Sequence, residues 1–226
     1  MVADIKVGYF TNLKIFNYSF MLMLILISAC ERASYKTVSQ LRFEALHENV
    51  QRLVERASAI LTPVVMSEPK QHLDDLLLAK QLYDEAVQVF AKSKIIKWQH
   101  TPLQKLRSDI AQFQPILAQY GVQLMQQSVH KTLEVRAQVE KVKTQPYSAK
   151  GMGTGEMVEY LSRQYNRDLI DCCLVDLSRI VDLLKLDASN YKTLIWHGVN
   201  INYELEKVIR EEQAGAELLQ KLNTVL

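Results

Sequence analysis

Turn-forming residues are scarce in this chain. Its 226 residues include seven glycines and five prolines, and β-hairpins and meanders need turns built largely from those two. An all-β architecture is disfavoured and long helices are favoured. Crossing roughly 30 Å of hydrocarbon takes about 20 apolar residues; the run Phe20–Ala29 has ten. Charge of one sign is lacking too: 27 Lys and Arg stand against 25 Asp and Glu, a net +2. Nucleic-acid binding driven by phosphate neutralisation is not expected from such a balance. The three cysteines, Cys30, Cys172 and Cys173, are too few and too close together for a disulfide framework.

Motifs of catalysis and metal binding are equally sparse. The histidines His47, His72, His100, His130 and His197 include no pair at i,i+3 or i,i+4, and neither HExxH nor CxxC occurs. Gly151-Met152-Gly153-Thr154-Gly155 has the look of a phosphate loop, but no strand precedes it and Glu156 stands where lysine would be needed. It reads as a turn between helices, with Glu156 suited to the amino end of the helix that follows. No serine or cysteine sits in a nucleophile motif. Cys172 and Cys173 lie one helical step apart, about 100° around the axis. They read as packing residues, because a disulfide between neighbours would distort a helix. No catalytic residue, metal ligand or cofactor is assigned.

What the chain does have is helical periodicity. A first helix is expected from about Thr37 to Thr62, with Val38, Leu41, Ala45, Val50, Leu53 and Ala57 inward, and Pro63 ends it. A second is expected over Glu68–Lys92. Thr101-Pro102-Leu103-Gln104 reads as a capping box that opens a third; Pro115 should break it near Ala111–Gln114, and its pattern resumes to about Lys143. Thr144–Thr154 is the clearest loop. A long helix to about Leu186 follows, striped by Val158, Leu161, Tyr165, Leu169, Cys173, Leu177, Ile180 and Leu184. The last helix runs from Tyr191 to about Asn223, with Leu194, Ile201, Leu205, Val208, Ala216, Leu219 and Leu222 inward and with Gly198 and Gly215 as weak points. No segment alternates with period two. The expected fold is all-α: an antiparallel bundle of five or six long amphipathic helices over residues 37–226.

The leader is organised differently. Lys6 and Lys14 precede the apolar run, and small residues close it, the parts of a secretory signal. Ordinary signal peptidase is suited by Ala29 but poorly by Ile27. Ile27-Ser28-Ala29-Cys30 instead resembles the lipobox of bacterial lipoproteins. That resemblance covers residues 1–31. It implies cleavage between Ala29 and Cys30, diacylglycerol on the Cys30 thiol, and acylation of the new amine, palmitate being the chain to trace. A thiol suits this step because it is a strong side-chain nucleophile. Residues 1–29 would be the signal peptide and 30–36 a lipidated cysteine with a short tether. In similar lipoproteins aspartate after the cysteine favours inner-membrane retention; Glu31 thus implies the outer membrane, facing the periplasm. Removing the leader takes Lys and Arg from 27 to 25 and Asp and Glu from 25 to 24, so the mature body is near neutral.

The expected function is that of an envelope lipoprotein, not an enzyme, whose helical domain binds a protein partner as an adaptor or assembly factor. An immunity or exclusion lipoprotein directed at an incoming toxin is the alternative, and an enzyme without a recognisable motif is the more distant one. Trp98 and Trp196 are the candidate partner contacts, because large aromatics are enriched where proteins meet.

Overall fold

The computed structural model describes residues 38–64, 69–92, 101–144 and 153–225, and every regular element among them is helical. The chain divides into two units, residues 1–45 and 46–226. Helix α1 (Val38–Leu61) begins in the first; all the packing considered below belongs to the second. A 3-10 turn, Pro69–His72, leads into α2 (Leu73–Lys92). Then come α3 (Thr101–Ala111), α4 (Gln114–Thr144), α5 (Thr154–Leu169), a π-helical turn Ile170–Leu174, and α6 (Val175–Leu184). A 3-10 turn Lys185–Asp187 precedes α7 (Ala188–Val199), α8 (Ile201–Arg210) and α9 (Glu212–Asn223). The all-α bundle expected from periodicity is the observed fold.

Proline sets two boundaries. Helix α1 stops at Leu61, just before Pro63, and Thr62 Oγ1 donates to Ser58 O at 2.9 Å over its last turn. Pro115 separates α3 from α4 at Gln112–Phe113, where expected. Lacking an N–H, proline is tolerated in the first turn of α4 but not within a continuous rod.

Helix α4 is the centre of the larger bundle. Helices α5, α6, α7, α8 and α9 all pack against it. Its amino-terminal half is buried broadly around the axis, through Leu117, Ala118, Gly121, Val122, Leu124, Met125, Ser128 and Val129. A helix with neighbours on several sides needs such a distribution in place of one stripe. Small Ala118, Gly121 and Ser128 let those neighbours come close. Ser128 and Thr132 hide their hydroxyls by donating to Leu124 O at 2.8 Å and Ser128 O at 2.7 Å. A second, smaller core joins Val50, Leu53, Val54 and Ala57 of α1 to Ala79, Leu82 and Ala86 of α2 and to Leu103, Leu106 and Ile110 of α3. Leu61 packs against both cores.

The expected stripe of the fourth rod is buried from Tyr165 through Leu169, Cys173, Leu177, Ile180 and Leu184. Its period explains the π turn. Tyr165, Leu169, Cys173 and Leu177 recur every four residues, and each such step drifts about 40° around an α-helix of 3.6 residues per turn. Three steps drift about 120°. A π turn holds roughly one extra residue and cancels most of this, keeping all four side chains on the core.

Three expectations need correction. Cys172 and Cys173 are joined in a disulfide, not packed as separate thiols. The distortion that argued against such a bond is present, as the π turn that contains both residues. In the last helix Leu222 faces inward as expected, but Ala216 is exposed, and Gly215 and Leu218 are buried in its place. The phase changes because the backbone is extended at Glu211 (φ −132°, ψ 117°), which separates α8 from α9. Leu41 and Ala45 are exposed, while Val54 joins the core.

Candidate functional site

The corner where α7 meets α8 gathers the features most in need of explanation. The helical ladder passes through it with a bend: Asn200 N–H bonds Trp196 O, and Glu204 N–H bonds Asn200 O, both at 3.1 Å. Asn200 Nδ2 adds a second donor to Trp196 O at 2.8 Å. Asparagine suits a bend because its amide competes locally for backbone groups.

Three apolar side chains stand uncovered there at helical spacing: Trp196, Val199 and Tyr203, 55%, 62% and 59% exposed. Residues three and four apart share a helix face. Lys207 continues this face, its Nζ 4.4 Å from the centre of the Tyr203 ring, a cation–π contact worth about 0.5–1 kcal/mol on a surface. Val199 also lines a groove of about 290 Å³ between α6 and the corner. The groove floor is Leu177, Val181 and Ile201, all buried; Ser178, Asp182, Lys185 and Asn202 supply its polar groups. Gly198 makes the approach possible. A Cβ there would lie 2.4 Å from Val181 Cγ2, closer than atoms can stand, so the sequence position that weakens the helix is the one that lets α7 seat on α6.

Beneath the exposed strip lies a largely buried polar pair. His197 Nδ1 is 2.8 Å from Glu204 Oε1, with the two side chains 9% and 11% exposed. Trp196 sets its ring edge-on to the His197 imidazole, centroids 4.9 Å apart and planes at 84°. The indole is thus oriented from below while its other surface is open. Glu204 Oε2 has no hydrogen-bond partner among the described residues. Glu204 also lines a hollow of about 100 Å³ with Lys207, Ala214, Glu217, Leu218 and Lys221. Pockets for drug-sized molecules start at roughly 300 Å³; the groove comes close to that size and this hollow does not.

Of the expected contact residues, Trp196 is on the surface and central to this corner. Trp98, Ala29 and Cys30 lie outside the described residues, as do residues 145–152 of the expected loop. At its described edge, Gly153 N–H donates to Glu156 Oε2 at 2.9 Å, placing that carboxylate at the start of α5 as expected. His197 and Glu204 were not singled out as a pair by any sequence motif. Their separation of seven, two helical turns, was a usable signal. Among the described residues no group of three or more His, Cys, Asp or Glu could hold a metal ion, and no helix among them is long and apolar enough to cross a membrane. Compared with protein-family models, curated proteins and solved structures, the chain has no match.

Proposed function

We propose that this protein is a lipid-anchored component of the bacterial envelope whose helical body acts by binding another protein at the α7–α8 corner. The observation that carries the binding role is the strip Trp196–Val199–Tyr203, three large apolar side chains exposed at i, i+3 and i+7 beside a groove with an apolar floor. Apolar side chains at that spacing form a continuous ridge, and a groove between helices accepts side chains of an opposing helix. Trp196 lies edge-on to a buried imidazole on one side and is open on the other. The anchor rests on the Ile27–Cys30 pattern, with Cys30 carrying the lipid and the outer membrane as destination. No cofactor beyond that lipid and no nucleic acid enter this reading.

Two measurements test it. Labelled palmitate should enter the wild-type chain and be lost from Cys30→Ala; equal labelling of both removes the anchor. A photo-crosslinking residue at position 203, in intact cells, should yield one discrete protein adduct. That adduct should vanish in Val199→Glu and persist in Val87→Glu, a change at an exposed valine of α2. An adduct insensitive to Val199→Glu rejects the corner as the binding face. A toxin delivered from outside as the sole adduct would make the protein an immunity lipoprotein instead of an adaptor.

A further inference from the structure

Independently of any partner, we propose that Cys172–Cys173 is a reversible dithiol–disulfide site, opened by thiol exchange with an external dithiol. The sulfurs of adjacent residues on an α-helix diverge by about 100°, so they bond only where the helix departs from α geometry. The departure is present and local: residues Ile170–Leu174 form a π turn, with α-helix on either side. The two sulfurs differ in access. Cys173 is buried in the larger core, its Sγ 4.0 Å from Gln127 Oε1, whereas Cys172 is only half-buried, beside exposed Ile170 and Asp171. An incoming thiolate therefore has one sulfur to attack.

The exchange balances as follows. The reductant's thiolate attacks Cys172 Sγ and forms a mixed disulfide; the Cys172–Cys173 bond breaks and Cys173 leaves as a thiolate that takes up a proton. The reductant's second thiol, losing its proton, attacks its own sulfur in the mixed disulfide. Cys172 departs as a thiolate and is protonated. The protein gains two electrons and two protons, and the dithiol becomes a disulfide. The leaving sulfur, on Cys173, stays within the larger core. Leu174, next in the chain, lines the groove beside α7, so the pair adjoins the wall of that groove.

The test uses the full wild-type chain, purified without reductant. Free thiols are alkylated with N-ethylmaleimide in the folded protein, and the tryptic peptide Asp168–Arg179, which separates this pair from Cys30, is weighed. It should carry no label and be lighter by two hydrogens than the dithiol form. After dithiothreitol under native conditions it should carry two labels, and removal of the dithiol with addition of its oxidised form should restore the unlabelled peptide. Amide exchange over residues 169–178 should speed up in the reduced protein. Two labels before any reductant, or labelling only after denaturation, overturns the proposal. Unchanged amide exchange rejects the coupling to the π turn.

Discussion

His197 and Glu204 face each other at 2.8 Å across the bend at Asn200, His197 buried and Glu204 nearly so. Seven residues apart in sequence, they tie the end of α7 to the first turns of α8. A buried pair stabilises little relative to an apolar substitute, but removing one member strands the other without a partner. His197→Ala should therefore lower the free energy of unfolding by about 3 kcal/mol. The double change His197→Leu, Glu204→Leu should recover most of that loss. Urea denaturation of the three proteins measures both, and equal stability of His197→Ala and wild type would reject the pair as a structural tie.

Gly198→Ala should destabilise the fold by roughly 1–3 kcal/mol, the range for overpacking, because its Cβ would meet Val181 Cγ2. Val181→Ala in the same chain should relieve part of the loss. Gly155→Ala offers the opposite outcome. Nothing lies within 4 Å of a Cβ there, and alanine in place of glycine in a helix gains up to about 1 kcal/mol. Thermal melts of the three variants give the comparison.

Gln114 is buried where α4 begins, and its Nε2 donates to Leu183 O at 3.0 Å and Leu184 O at 3.4 Å. It thereby adds a side-chain donor to the last carbonyls of α6. Gln114→Ala should cost about 1–3 kcal/mol, the penalty for an unsatisfied buried group. Gln114→Glu should cost more, since a carboxylate offers no donor and opposes the negative end of the helix dipole.

Burial pushes the Tyr165 hydroxyl above its usual value of 10.0, with Thr132 Oγ1 as a hydrogen-bond partner that pulls the other way. Thr132 spends its one hydrogen on Ser128 O, so Tyr165 Oη donates to Thr132 across 2.6 Å. A raised folded value means that the unfolded chain releases this proton first. The contribution of Tyr165 is therefore complete below about pH 10 and falls as pH rises from there towards the folded value. Burial raises Tyr83, Tyr120 and Tyr191 as well, and their contributions add to the same alkaline loss. Tyr165→Phe should lose about 1 kcal/mol at neutral pH and show a shallower decline above pH 10 than wild type. Denaturation midpoints from pH 8 to 11 provide the check.

Much of the architecture was legible because long apolar stripes and proline positions are local signals. Pro115 marked the α3–α4 break, and the stripe from Tyr165 to Leu184 marked the buried side of α5 and α6. The run of four-residue steps in that stripe also encoded the π turn, for any reader who asked how an α-helix could keep such a period in one direction. The Cys172–Cys173 bond was harder to see, since the argument against it assumed unbroken α geometry. The change of phase after Glu211 depends on one extended residue that no pattern singles out. Trp196 could be named from its residue type alone. The groove beside it could not, because Leu177, Gly198 and Ile201 come together only through packing.

The existence of two separate cores bears on how the molecule comes apart. The α1–α3 core draws on few large side chains; it adjoins the larger core through Leu61, which packs against both, and through α2, whose Leu73 and Leu76 belong to the larger core. Such an arrangement lets one cooperative block melt below the temperature at which the other does. Partial opening would then free α1 and α3 while α4 and its neighbours keep the Trp196 corner intact, leaving the proposed contact surface in place on a half-unravelled chain.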